Sequence, residues 1–158
     1  MRAVSRLALL VSVAALSVAT AACGSNPEEK SGGDAYRNVA QAMPLDEWAA
    51  GDLDRGEGDR TDWKSVVLDD TGKVTVSFNK DNKGASATIE FFDERGYTLG
   101  SAKQKSGATD PIQLKAKVKR SGRHFVMIRH TGGDATAYSV QVTMGEAASN
   151  DGGMMPDL

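Results

Sequence analysis

From Asp62 to Met144 the chain repeatedly alternates apolar and polar residues, with turn residues every ten positions or so. Asp62–Leu68 reads as one strand, with Asp69-Asp70-Thr71-Gly72 as the turn after it. Val74, Val76 and Phe78 then fall on one face of the next strand, and Ala87, Ile89 and Phe91 on one face of the strand over 85–92. Asp93-Glu94-Arg95-Gly96 reads as a tight turn, and Tyr97-Thr98-Leu99 restarts a strand. Ile112, Leu114, Ala116 and Val118 alternate with Gln113, Lys115, Lys117 and Lys119. His124–Arg129 and Tyr138–Met144 complete the series. Such alternation is the mark of strands with one buried and one wet face. Six to eight short strands in this arrangement predict an all-β fold, an antiparallel sandwich or barrel. Aromatic residues are only 6% of the chain, so the core is expected to be mainly aliphatic.

The 158-residue chain opens with a different pattern. Arg2 and Arg6 precede an apolar run over residues 7–19, which is too short to span a bilayer comfortably. A charged start, a short apolar middle and a small-residue end are the layout of a secretory signal, here residues 1–22. Thr20-Ala21-Ala22-Cys23 resembles a bacterial lipobox. That resemblance implies cleavage before Cys23, a diacylglycerol on its sulfur and a fatty acid such as palmitate on its new N-terminus. The family's usual Leu three places before the cysteine is Thr20 here, and the triplet before Cys23 also suits ordinary signal peptidase, which would leave a secreted protein with an unlipidated Cys23. Lipidation is the preferred reading, because Cys23 is the only cysteine and has no partner in the chain for a disulfide. With two or three acyl chains the attachment would be stable. Gly24, rather than Asp, after the cysteine resembles lipoproteins sent on to the outer membrane.

The mature chain is long enough for one domain. Residues 23–49 are expected to be a tether, polar and Gly-rich over 24–35, with a short helical latch over Tyr36, Val39 and Met43 that Pro44 would end. Leu45 and Trp48 would pack it onto the domain. The sandwich itself is expected over residues 50–145, and residues 146–158 read as a loose tail.

Several strings occur in a distinctive order. They are Asp62-Trp63 after an acidic, Gly-rich lead, then Gly72-Lys73-Val74-Thr75-Val76-Ser77-Phe78, then Ala87-Thr88-Ile89-Glu90-Phe91-Phe92-Asp93 running into Glu94-Arg95-Gly96-Tyr97-Thr98-Leu99. Ser121-Gly122-Arg123-His124-Phe125-Val126-Met127-Ile128 and Ala137-Tyr138-Ser139-Val140-Gln141-Val142 follow. Over residues 50–144 this resembles the bacterial pre-peptidase C-terminal domain, which implies a jelly-roll-like β-sandwich and a non-catalytic module of an exported protein. Binding to a substrate, surface, carbohydrate or neighbouring domain is what that family implies. The strand after Ser121-Gly122 usually opens with Tyr in that family, where this chain has His124.

Chemistry-bearing residues are few. His124 and His130 are the only histidines and lie too far apart on one strand to share a metal; a half-buried His124 and a surface His130 are expected. No serine sits in a Gly-x-Ser-x-Gly elbow, so no catalytic set is visible and the chain is not read as an enzyme. No cofactor is implied. Asn79-x-Asp81-x-Lys83-Gly84 with Glu90 copies part of a calcium loop, but Lys83 occupies a ligand position. Asp52, Asp54, Glu57 and Asp59 crowd a short stretch that offers carboxylates for calcium, against the plainer reading of a solvated acidic loop. Lys103, Lys105, Lys115, Lys117 and Lys119 are a candidate ligand face, if neighbouring strands present them together, against the plainer reading of lysines on a wet sheet face. The exposed-aromatic candidates for a sugar platform are Tyr36, Trp48, Trp63 and Phe92, with Trp63 expected to be buried.

The net charge of −2 becomes −4 once Arg2 and Arg6 leave with the signal, which argues against a nucleic-acid partner. The expected protein is an envelope lipoprotein whose sandwich is a protein-binding adapter. The alternative is a module for cell-surface polysaccharide that uses the lysine face.

Overall fold

The computed structural model describes Asn26 and residues 28–145. The signal, Cys23 and the tail over 146–158 therefore lie outside the described residues. Among the described residues there are nine strands: β1 Gln41–Ala42, β2 Trp48–Leu53, β3 Thr61–Leu68, β4 Gly72–Lys80, β5 Ser86–Phe92, β6 Thr98–Gln104, β7 Ile112–Val118, β8 Gly122–Gly132 and β9 Thr136–Met144. They form two sheets, β1-β3-β8-β5-β6 and β2-β9-β4-β7. Every pairing is antiparallel except β1 with β3. The expected antiparallel β-sandwich is the fold found.

The alternation in sequence fixes which side of each strand faces in. Val74, Val76 and Phe78 of β4, Ala87, Ile89 and Phe91 of β5, and Val140 and Val142 of β9 are fully buried between the sheets. Leu114 and Val118 of β7 and Val126 and Ile128 of β8 join them in one core. Full burial of each large apolar side chain contributes about 1.5–3 kcal/mol before the entropy of ordering is deducted. At the β6/β7 side the sandwich closes tightly: a Cβ on Gly100 would lie 2.7 Å from Leu114 Cδ1.

The domain begins well before residue 50. The Glu28 carboxylate accepts hydrogen bonds from the backbone of Arg60 and Thr61 and from the Thr61 hydroxyl, at 2.9–3.0 Å. The Asp34 carbonyl accepts from Trp63 N–H at 2.8 Å, and Met43 N–H donates to Ser65 at 2.9 Å. The chain then crosses to the other sheet, where Asp46 N–H donates to Val142. The expected tether over 23–49 is thus, from Glu28 onward, part of the sandwich. The expected latch is only a 3-10 turn, Arg37–Val39. Met43 enters the core while Tyr36 and Val39 stay exposed. Residues 41–53 lack alternation because β1 is a two-residue edge strand and β2 carries Gly51 at an inward position.

Gly51 lies directly opposite Tyr138, whose ring covers its backbone. A Cβ there would sit 2.5 Å from Tyr138 Cζ. Gly51→Ala is expected to destabilise the fold by about 1–3 kcal/mol through overpacking. Chemical denaturation of both forms checks this, and an unchanged midpoint would contradict it.

Candidate functional site

Asp62, Lys64, Val66 and Leu68 occupy the inward positions of β3, so two charged side chains point between the sheets. Lys64 is only 2% exposed and Asp62 only 4%. Lys64 Nζ reaches Asp34 Oδ2 at 2.9 Å, Gln41 Oε1 at 2.6 Å and Asp62 Oδ2 at 3.9 Å. The Tyr138 hydroxyl donates to Asp62 Oδ2 at 2.5 Å. Lys64 also stands 5.8 Å from the centroid of the Tyr138 ring. The network thereby joins β3 of one sheet, β9 of the other and the N-terminal segment.

Beside it opens a cleft of about 480 Å³, lined by Gly33, Asp34, Gly51, Asp52, Asp59 and Lys64 among others. Burial pushes the Asp62 carboxyl up to about 7; the Asp34 charge adds to this, while the Tyr138 hydrogen bond and Lys64 oppose it. Burial, reinforced by the Asp34 and Glu28 carboxylates, raises Asp59 to about 6. Burial first, then the Asp62 carboxylate, raise the Tyr138 hydroxyl well above the usual phenol range.

The acidic stretch offered as a calcium loop does not converge. Asp54 Oδ1 is occupied by Gly56 and Glu57 N–H groups in its own turn. Glu57 pairs with Lys30. Asp52 and Asp59 line the cleft. Among the described residues no three His, Cys, Asp or Glu side chains are placed to hold a metal ion. The carboxylates separate because Asp54 and Asp59 bridge each other through their backbones, which closes the loop on itself.

The five lysines do not share one face. Lys103 lies on β6, an edge of the first sheet, with Lys105 just beyond it. Lys115 and Lys117 lie on β7, an edge of the second sheet, with Lys119 just beyond. The chain changes sheets between Lys105 and Ile112, so adjacency in sequence does not become adjacency on a surface. On the second sheet the outward row Trp48, Gln141, Ser77, Gln113 crosses all four strands, and Thr143, Thr75, Lys115 lie in the next row. Trp48 is 54% exposed. Lys117 faces Lys73 directly across β4 and β7.

Both histidines are buried, contrary to expectation. His124 points inward, stacks on Phe91 at 5.6 Å and donates from Nδ1 to the Gly122 carbonyl at 3.0 Å. His130 N–H donates to Arg60, and its Nε2 lies 2.9 Å from the Asp134 carbonyl. Both face inward because positions 124, 126, 128 and 130 share one face of β8, the face that carries Val126 and Ile128 into the core.

One surface was not anticipated. Trp63, Val67, Phe92, Phe125 and Met127 all take outward positions of the first sheet, where polar residues are the rule. Trp63, expected in the core, instead lies against Phe92 at 5.2 Å on this outer face. Arg37 covers Phe125 at 5.5 Å from its centroid, and Arg129 reaches Met127 Sδ at 3.4 Å. Val67 is 57% exposed. The unbroken apolar string Phe125-Val126-Met127-Ile128 was the available signal, since a strand so written has two apolar faces.

No family model matches the chain, and no curated protein matches it. Solved structures do. The pre-peptidase C-terminal domain of a Bacillus anthracis collagenase is 16% identical, covering 65% of this chain and 93% of its own, with a TM-score of 0.50. A surface-associated copper-binding protein of Methylomicrobium album BG8, important in copper acquisition, is 9% identical, covering 67% and 98%, also at 0.50. At such identities the likeness establishes the sandwich fold.

The Asp62 shift has a sign that can be measured. Its acid form is favoured in the folded state, so the stability it contributes is fully present below the ordinary value of 3.8 and is lost as pH rises through about 7. The stability difference between wild type and Asp62→Asn is therefore expected to move against wild type as pH rises from 4 to 7. Thermal denaturation of both forms across that window is the check. Parallel curves would refute the shift.

Proposed function

We propose that this protein is an exported, lipid-anchored, non-catalytic module of the cell envelope, and that it docks a protein partner on the outer face of its first sheet. The observation that carries the reading is the apolar outer face of the first sheet, where Val67 is 57% exposed, Trp63 and Phe92 are half-buried, and Phe125 and Met127 lie buried beneath Arg37 and Arg129. An apolar outer sheet face with an exposed edge at Val67 is the kind of surface a partner can cover. Arg37, Arg123 and Arg129 surround it, with Glu90 as the acidic exception. Aromatic and arginine side chains are the residues that dominate protein interfaces. The chemistry fits a partner with an apolar centre and an acidic rim. Two structural likenesses, to a domain of a collagenase and to a surface-associated protein, are in keeping with export. Cys23 would carry the anchor, attached to the outer membrane on the reading of Gly24. With the domain already built from Glu28, the span left for a tether is short.

A cross-linked pull-down from intact cells, using tagged protein, tests the docking face. One protein recovered near stoichiometrically with wild type is expected. Val67→Glu combined with Arg129→Glu is expected to lower its recovery roughly ten-fold. Both side chains are exposed, so the fold should persist. Undiminished recovery would sink the assignment of the face.

A second reading has its own observation. Exposed Trp48 shares the outer face of the second sheet with Gln113, Gln141 and Lys115, an aromatic platform beside amides and a cation that suits an acidic polysaccharide. Recovery of envelope polysaccharide with no reproducible protein, abolished by Trp48→Ala, would select it. For the anchor, Cys23→Ser is expected to release the protein from membranes and to stop incorporation of labelled fatty acid. Membrane retention of that variant, together with no labelling of the wild type, would end the lipoprotein reading.

A further inference from the structure

A second cavity, of about 380 Å³, opens at the end of the sandwich beneath two turns. The β5–β6 turn supplies Asp93, Glu94, Arg95 and Tyr97, and β6 supplies Leu99. The end of β7 and the β7–β8 turn supply Lys117, Lys119, Arg120 and Ser121, and His124 of β8 completes the lining. The volume is at the small end of the range for ligand pockets, roughly 300–1,000 Å³.

The charges in it are unbalanced. Arg95, Lys117, Lys119 and Arg120 are four cations against Asp93 and Glu94. Asp93 Oδ1 is already committed, since it accepts the Arg95 and Tyr97 N–H groups that hold the turn. None of the ion pairs among the described residues involves any of the four cations. Each therefore keeps its hydrogen-bond donors available. The opposite wall is apolar: Tyr97, at 67% exposure, and Leu99. His124 adds a specific polar atom. Its Nδ1 must carry the proton that goes to the Gly122 carbonyl, because a carbonyl can only accept. In the neutral ring Nε2 is then an acceptor, suited to a hydroxyl group.

We infer that this cavity binds the carboxylate-bearing ring of an acidic sugar, a uronic-acid residue. The basic β7–β8 turn would take the carboxylate, Tyr97 the face of the ring and His124 a hydroxyl. A naked anion would use the cations alone and leave Tyr97, Leu99 and His124 without a role. A neutral sugar would leave the four cations, all of them exposed side chains, without a charged partner. The site uses none of the residues of the proposed protein-docking face, so either can fail without the other.

Calorimetric titration of the full chain, purified from its envelope, with sodium glucuronate tests the inference. Glucose and inorganic phosphate at the same concentrations are the comparators. Glucuronate is expected to bind in about the millimolar range, to weaken several-fold between about 50 and about 200 mM salt, and to outbind both comparators at least ten-fold. Lys119→Glu combined with Arg120→Glu, in an exposed turn, is expected to weaken binding at least ten-fold. Lys103→Glu, on the other edge strand, should leave it unchanged. His124→Tyr, which puts a bulkier ring at the cavity floor, should weaken it while unfolding stays cooperative. Equal binding of phosphate would overturn the role of the sugar ring, and equal binding of glucose would overturn the role of the carboxylate. No binding of glucuronate, or full binding by the Lys119/Arg120 variant, would overturn the site.

Discussion

The hydrogen bond from Tyr138 to Asp62 joins the two sheets across their interior, and Lys64 extends it to Asp34 and Gln41. Buried charge is costly unless it is paired and hydrogen-bonded, and replacing such a network by apolar residues is often neutral or stabilising. Its contribution is better sought in geometry. With Lys64 buried, its Nζ must find acceptors, and those available are on the N-terminal segment. The segment is thereby held along β3, which places β1 in the first sheet and delivers β2 to the second. Gly51 follows from the same requirement, because the Tyr138 ring needs its backbone bare.

The two outer faces differ for reasons that trace to strand position. In the second sheet the outward residues are mainly hydroxyls, amides and lysines, with Trp48, Ala50, Asp52 and Ala137 as the exceptions. In the first sheet, β8 is flanked by β3 and β5 and is apolar on both sides. Trp63, Phe92 and Arg37 cover part of it, and Val67 extends the patch into solvent. The first sheet thus has an outer face that is partly apolar and ringed by arginines, which is the basis of the proposed docking surface. The turns at the end supply a different chemistry, a small basic cavity with an aromatic wall.

Much of this was legible in the chain. The inward residues of β4, β5, β7 and β9 follow from strict period two, because a strand with one buried face can be written in no other way. The candidate site was less legible. Period-two reasoning places Asp62 and Lys64 on the same side as Val66 and Leu68, yet charged residues are ordinarily assigned to water, so their burial depends on partners such as Asp34 and Tyr138 that lie far away in sequence. The lysine face failed for a related reason. Lys103 and Lys115 are close along the chain, but the connection between them carries it from one sheet to the other.

By itself, then, the sequence determined the local quantities: strand positions, turn positions, an aliphatic core and the signal-like start, each set by interactions within a few residues. Tertiary structure decided which sheet each strand joined, that residues 28–53 belong to the domain, that both histidines are buried, and which side chains share a surface. Those outcomes depend on which strands become hydrogen-bonded neighbours, and neighbours such as β3 and β8, or β2 and β9, are brought together by chain closure over long separations that no short-range pattern encodes.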